Sequence, residues 1–367
     1  MGLGIIITVN NRANQELTNL ASIVEVTERI DEAIVYKIRF SIDVCSEDTG
    51  TIYEDVTDPG SILGVLVEVN NTLHCLVSGP VTNQDVNLEQ GGAGSWLEVS
   101  GTDTSHLMDA APVFHNLTGN DADIVRSILS PKYAKTVDVE STPDSSHEEE
   151  KHSQVQRETD LSFVRRLAQR NGFHLWFTYD KEGNATAYFK SRNLQGKPVA
   201  DLTVNLEKAN VDNLQFKWNI KPPTEVEGKQ IDLKTKETIG DKVTLDKSES
   251  LGSKSLKDVA GKVANAMQLS PPADDGGTMK KRAEAALREA QWFLNATCKT
   301  TVSRICKLVR SHTLVNVQGA GSRYSGKYYV SGVKHTIDSS AHAMDIELSR
   351  NSWNTAEKLS SELTKIF

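Results

Sequence analysis

Cysteine is scarce in this chain and poorly spaced for chemistry. Cys45, Cys75, Cys298 and Cys306 are the only four in 367 residues, with no CxxC pair. The step from Cys298 to Cys306 is too long for one arm of a zinc knuckle. Four cysteines are enough for two bridges, but Cys75 lies inside the apolar run Leu73 to Val77 and reads as a buried thiol. We expect reduced thiols and synthesis in the cytoplasm. Long apolar runs are also missing, and none approaches the ~18 residues of a membrane helix. The N-terminus, MGLGIIITVNNRANQ, lacks a basic n-region and a signal-length apolar core. Gly2 follows Met1, but Ile6 stands where myristoylation needs Ser or Thr. No export signal of the ordinary kind is expected. A basic excess is absent too, because the net charge is −8. This argues against a nucleic-acid-binding protein, which carries a basic face. The densest acidic run, Glu148-Glu149-Glu150, is broken at once by Lys151, so it is not an acidic tail.

The composition, 38% hydrophobic and 25% charged, is somewhat polar but well clear of disorder. It suits small barrels or sandwiches, or surface kept wet inside an assembly. The length allows two or three domains. Residues 1 to about 115 hold six short β-rich runs: Ile5–Val9, Ser22–Val26, Ala33–Val44, Leu63–Val69, Thr72–Ser78 and Trp96–Gly101. Turn residues such as Asp58-Pro59-Gly60 and Asn70-Asn71 separate them, as in a small antiparallel barrel or sandwich. Between 116 and 200 the pattern changes to a short helix over 118–129, a polar loop from Val139 to Gln156, then a helix and a hairpin. Residues 201–239 return to β, with Leu214 to Ile220 alternating at period two. Residues 240–278, rich in Lys, Ser, Asp and Gly, read as a long loop or excursion, with a helix at Leu256 to Met267. Met279 to Leu294 reads as a helix on propensity, with Ala283, Ala286, Leu287, Ala290, Phe293 and Leu294 on one face. Strands follow at 296–309, 313–317, 328–338 and 344–349, and the tail 352–367 is polar with apolar residues in helical register.

No constellation for catalysis emerges. His147-Glu-Glu-Glu-Lys-His152 invites comparison with HExxH. Ligands five apart, however, are rotated by about 140° on a helix of 3.6 residues per turn, so a solvated charge run is the better reading. Gly91-Gly-Ala-Gly94 and Gly319-Ala-Gly321 carry no GxxxxGK[ST] and join no strand to a good helix; they read as hairpin turns. There is no GxSxG elbow and no cysteine in a nucleophile context. His335, between Val333 and Ile337 on an alternating strand, reads as a structural or interface histidine. Trp96, Trp176, Trp218, Trp292 and Trp353 each adjoin an element core, which favours packing over sugar stacking. No catalytic, cofactor-binding or metal-ligating residue is assigned.

The most locally determined stretch is QVQRETDLSFVRRLAQRNGFHLWF, residues 154–177. Thr159 or Asp160 is placed to cap a helix. Leu161, Val164, Leu167 and Ala168 form its apolar stripe, while Arg165, Arg166, Gln169 and Arg170 are expected outside. Gly172 supplies a left-handed stop, and Phe173 opens a strand. The strand Phe173–Tyr179, the turn 181–184 and the strand Ala185–Lys190 form a hairpin.

These residues resemble the baseplate hub family of contractile-tailed phages, late control protein D, and the hub portion of type VI secretion spike proteins. The likeness rests on Gln156, Glu158-Thr-Asp-Leu-Ser-Phe163, Arg166-Leu-Ala168, Gly172 and Phe173. It extends to Leu97-Glu-Val-Ser-Gly-Thr-Asp103 and to the closing strands Gly326-Lys-Tyr-Tyr-Val-Ser-Gly-Val-Lys-His335 and Met344-Asp-Ile-Glu-Leu-Ser-Arg-Asn351. The resemblance implies a mainly β fold in which two similar small antiparallel, tube-like barrels flank a mixed α+β domain. The first barrel would be 1–115. The middle domain would be 116–200 with 240–295, and the second barrel 201–239 with 296–350, followed by a tail at 351–367. It implies a homotrimeric structural hub, not an enzyme and without cofactors, joining the sixfold tail tube to a threefold spike. Its partners would be the tail tube protein and the spike protein, with tape measure and baseplate wedge proteins nearby. DNA or effector would be only passing cargo, which an acidic wall does not hold. The particle would be a virion tail baseplate or an injection system assembled after synthesis in a bacterial cytoplasm. Because the chain ends at Phe367 with no OB-fold or needle, the spike is expected to be a separate polypeptide. Two other classes are weighed: a tail-tip cell-wall or polysaccharide hydrolase, and a carbohydrate-binding adhesin, the latter on β content and tryptophans alone.

Overall fold

A computed structural model describes residues 4–42, 56–90, 94–142, 154–231, 236, 238–244, 250–261, 265–269 and 276–354. The chain forms two compact units. One comprises Met1–Arg192, Thr301–Ser311 and Gly332–Asp345; the other comprises Asn193–Thr300, His312–Ser331 and Ile346–Phe367.

The first unit opens with strands β1 (Ile5–Val9) and β2 (Arg12–Ala13), helix α1 (Gln15–Leu20), β3 (Ala21–Arg29) and β4 (Val35–Ser41). Next come β5 (Ile62–Val69), β6 (Thr72–Asn87) and β7 (Trp96–Thr102). Asn70 and Asn71, both at positive φ (51° and 59°), make the tight turn between β5 and β6, as the sequence led us to expect. All neighbours here are antiparallel, with β1 on β5, β5 on β6, β6 on β7, β7 on β4 and β4 on β3. Alternation decides which side is buried: Val24 and Val26 of β3, Tyr36, Ile38 and Phe40 of β4, and Leu97 and Val99 of β7 all point into one core.

β6 is longer than its sequence suggested, running past Ser78 through Pro80 to Asn87. It changes partner on the way, pairing with β5 up to Pro80 and with β7 from Val81, with a bulge between Val81 and Asn83. Proline sits at the changeover, where a missing N–H removes least from the ladder.

The rest of the unit comprises α2 (Ser105–Met108), β8 (Val113–Leu117), α3 (Asp121–Leu129), β9 (Thr136–Val139), β10 (Gln154–Glu158), α4 (Asp160–Asn171), β11 (His174–Tyr179) and β12 (Ala185–Lys190). The α4 residues Phe163, Val164 and Leu167 share the core of the strands above, together with Leu175, Phe177 and Phe189 of the hairpin.

The second unit holds β13 (Ala200–Thr203), β14 (Leu214–Trp218), β15 (Glu225–Ile231), β16 (Thr238–Val243), β17 (Lys254–Ser255), α5 (Leu256–Ala260), β18 (Ala266–Leu269), α6 (Gly276–Ala290) and β19 (Leu294–Thr301). Helix α7 (Val302–Ile305) follows in the first unit. After it come β20 (Leu314–Gln318), α8 (Gly321–Tyr324), β21 (Gly326–Ile337), β22 (His342–Arg350) and β23 (Ser352–Trp353). Ala283 and Leu287, one turn apart on α6, pack against Val226 of β15 and Val243 of β16. Gly228 permits this approach, since a Cβ there would lie 2.6 Å from Met279 Cγ.

Four expectations need correction here. The 240–278 segment is not merely a loop: it carries the end of β16, β17, α5 and β18, and β15 pairs with both β16 and β18. Its expected helix stops at Ala260, where Gly261 takes φ +52°. The helix expected over 279–294 spans 276–290, so Leu294 belongs to β19, and the strand expected over 296–309 ends at Thr301, which caps α7. The fold is mainly β with interspersed helices, as expected. The pairings among the described residues do not close a barrel.

Candidate functional site

The motif residues of 154–173 build a polar frame around α4. Thr159, not Asp160, is the cap: its hydroxyl accepts from Ser162 N at 3.2 Å and donates to Asp109 at 2.6 Å. Asp160 is buried and accepts from Tyr133 Oη (2.7 Å), Gln156 Nε2 (2.7 Å) and Lys132 Nζ (2.9 Å). Burial opposes ionisation of Asp160, but those three donors outweigh it and hold the carboxyl below its ordinary range. Glu158 pairs with Arg166 Nε at 2.8 Å. At the other end Gly172 takes φ 67°, and Phe173 N donates to Ala168 O while Gly172 N donates to Gln169 O, a Schellman stop.

The outward placement of all four polar residues on α4 is corrected. Arg166 and Gln169 are exposed, but Arg165 and Arg170 are half-buried. Arg170 forks onto the fully buried carboxylate of Asp121 on α3, with Nε 2.6 Å from Oδ2 and Nη2 on Oδ1. Its Nη1 donates to Gln154 (3.0 Å), and Asn171 Nδ2 donates to Asp121 at 2.7 Å. The clamp joins residues 49 apart in sequence. Helical periodicity cannot show it, because the partner lies on another helix.

A second cluster lies in the first unit around Glu28, which is 1% exposed. Arg310 Nε ion-pairs with Glu28 Oε1, and Ser311 donates to Oε2 from its N (3.1 Å) and Oγ (3.0 Å). The Arg310 guanidinium also reaches the carbonyls of Cys75 (3.0 Å) and Leu76 (2.9 Å). His335, wholly buried, places Nε2 3.8 Å from Glu28 Oε1 and Nδ1 3.0 Å from His342 Nε2. Burial, the neighbouring His342 and Arg310 push the His335 pKa well below its usual value, and burial lowers that of His342 to about 4. Both imidazoles are therefore neutral near pH 7. His335 is a structural histidine, as its alternating strand suggested.

The closing strands are explained in the same way. In β21, Tyr328 and Val330 are buried, then Val333, His335 and Ile337. Tyr329 is buried beside them, so burial alternates only from Val333 onward, in the part of the strand that belongs to the first unit. Arg350 of β22 is only 1% exposed. It donates to Ser325 O (3.1 Å) and Leu251 O (2.9 Å) and lies 5.2 Å over the Tyr328 ring. Asn351 Oδ1 accepts from Leu251 N at 3.0 Å. At the end of β7, Glu98 takes Lys37 Nζ (2.8 Å) and Arg39 Nη2 (2.8 Å), while buried Asp103 accepts from Ile34 N (3.0 Å) and Ser105 N (3.0 Å).

The other singled-out residues are dispersed. His147 to His152 lies outside the described residues, as do Cys45 and Gly91 to Ala93. Gly319 to Gly321 sits between the antiparallel strands β20 and β21, as a hairpin connection. Trp176 stacks on Tyr188 (4.9 Å, 7°), Trp292 meets Tyr329 and Trp353 meets Phe293; Trp218 is 49% exposed. Among the described residues no group of three or more His, Cys, Asp or Glu is placed to hold a metal ion, and no helix is long and apolar enough to cross a membrane.

Comparison with known proteins bears on these frames. A family model described as the Alg8 N-terminal domain matches residues 4–339. The chain belongs to the Alg8 N-terminal domain family. No curated protein matches. Among solved structures, this Alg8 N-terminal domain chain is similar to a tail protein from Neisseria meningitidis, at 13% identity and TM-score 0.65, covering 95% of this chain and 97% of that one. It is similar to the 43 kDa tail protein of prophage MuSo2 from Shewanella oneidensis, at 15% identity and TM-score 0.66, covering 95% and 98%. An E. coli component of the type VI secretion system is similar at 15% identity and TM-score 0.55, covering 90% of this chain and 73% of that one. The fold is that of phage tail proteins and their secretion-system counterparts, as the motif resemblance implied.

Proposed function

We propose that this protein is a structural component of a contractile tail or injection particle, and within it the hub: a homotrimer that adapts the sixfold tail tube to a threefold central spike. The observation that carries this reading is the fold, shared along nearly the whole length of two tail proteins, one of them from a prophage. The motif residues agree with it. Gln156, Asp160, Asp121, Glu28 and Arg350 are all committed to internal hydrogen bonds, which is the usage of a frame rather than of a reaction centre. On this reading residues 1–115 and 201–239 with 296–350 act as two tube-like halves braced by 116–200 and 240–295. The tube and spike proteins are the partners, and the protein has no catalytic turnover.

The mass of the chain in solution tests this, alone and mixed with tail tube and spike proteins from the same source. A trimer that captures both is expected. A strict monomer that binds neither would sink the proposal, and so would glycan release in a zymogram that is lost on replacing one Asp or Glu.

A further inference from the structure

The second unit carries a row of aromatic rings with one member left uncovered. Phe216 and Trp218 lie on one face of β14, across from the buried Ala296 and Leu294. Phe216 stacks on Tyr324 (4.5 Å, 19°), and Trp218 meets Trp353 edge-on at 6.4 Å. Trp353 packs in turn on the fully buried Phe293 (5.6 Å) and carries the Arg323 guanidinium 4.9 Å over its ring. The row is fixed at Tyr324 and at Trp353, yet Trp218 between them is 49% exposed.

A single exposed apolar residue needs no explanation, but the chain leaves the fold beside this one. Asn354, next after Trp353, is tied down. Its N donates to Arg323 O (3.4 Å), its Nδ2 donates to Ser325 O (3.0 Å) and its Oδ1 accepts from Arg350 Nη2 (3.2 Å). The sequence TAEKLSSELTKIF, residues 355–367, follows outside the described residues. In helical register Ala356, Leu359, Leu363, Ile366 and Phe367 fall within one stripe about 100° wide, and Glu357, Lys358, Ser361 and Lys365 fall away from it. A helix this short is marginal in water unless such a stripe is covered. At a rise of about 1.5 Å per residue, Leu359 comes about 8 Å and Leu363 about 14 Å beyond the anchored Asn354, which spans the distance to Trp218.

We infer that residues 355–367 turn back over the second unit as an amphipathic helix, laying Leu359 and Leu363 on Trp218 and covering the open part of the aromatic row. The occupant is the chain's own segment because it is tethered at Asn354. Tethering holds it near Trp218 at an effective concentration in the millimolar range, an advantage that a second copy or a separate partner lacks. The contact lies within one chain and requires neither the trimer nor a spike.

Hydrogen exchange on the full-length chain tests it. Amides of 355–367 should exchange at least about ten-fold slower in wild type than in Trp218→Ser, which removes the platform. Leu359→Asp with Leu363→Asp attacks the contact from the tail, outside every strand of the unit, by setting two carboxylates on the stripe. It should abolish the protection and raise acrylamide quenching of the tryptophan fluorescence, and that rise should vanish in a Trp218→Phe background. Co-expressing the Trp218→Ser chain with the doubly substituted one should restore no protection, because each chain lacks half of its own contact. Recovery on co-expression would give the tail to a second copy, and protection seen only after a tube or spike protein is added would give it to a partner. Either result overturns the inference, as does a wild-type tail that stays unprotected throughout.

Discussion

His335 and His342 share one hydrogen bond at 3.0 Å within reach of the Arg310 cation, so at most one proton fits comfortably between them. Both folded pKa values lie below the ordinary histidine value of about 6.5, and that of His342 is about 4. The sign follows from linkage. The unfolded chain takes up more protons than the folded one between those limits, so stability is complete above about pH 6.5 and falls as the pH drops towards 4. The carboxyl of buried Asp160 and that of exposed Asp31 are both held below their usual range, desolvation being outweighed by hydrogen-bond donors at Asp160 and by His174 at Asp31, so their contributions are lost only at still lower pH. Urea midpoints measured from pH 7 to 4.5 should therefore decline in wild type and decline less in His342→Gln. Equal slopes would remove the imidazole pair from the account. Little of this was legible in sequence. His335 stood out on its strand, but Glu28 and Ser311 lie 283 positions apart and no spacing rule connects them.

The helix α4 shows what short-range pattern can and cannot carry. Its cap, stripe and glycine stop all involve neighbours within a few residues, and each lies where the sequence put it apart from the choice of Thr159 over Asp160. Its long-range side was invisible, because an arginine on a solvent-facing phase looks the same whether or not another helix presents a carboxylate to it. Arg170→Ala should cost about 3–5 kcal/mol, because Asp121 stays buried without its cation. Adding Asp121→Asn to that variant should recover part of the loss, which thermal melts of the single and double variants will show. The strands β8 and β10 were missed for the same reason. Neither Val-Phe-His-Asn-Leu nor Gln-Val-Gln-Arg-Glu carries a β signature, and the two meet only because the chain between them brings Val113 opposite Glu158.

At the scale of the whole molecule, β content and the tail-protein resemblance were readable because they rest on many weak local signals in order. The division of the chain was not. The first unit takes in Thr301–Ser311 and Gly332–Asp345 from far along the sequence, and composition does not change at those points. The thiols turn this division into something measurable. None of Cys75, Cys298 and Cys306 is in a disulfide; Cys75 is buried in the first unit, Cys298 in the second, and Cys306 is exposed. Burial pushes the Cys75 thiol up to about 12, so its reactive thiolate is nearly absent while the unit is closed. In a pulse of alkylating reagent, Cys306 should label at once. Cys75 should label only as often as the first unit opens and Cys298 only as often as the second does; equal labelling of Cys75 and Cys306 would contradict this. The unmodified protein thus carries its own clock for each half, and peptide mass spectrometry can read the opening rates of both from a single sample.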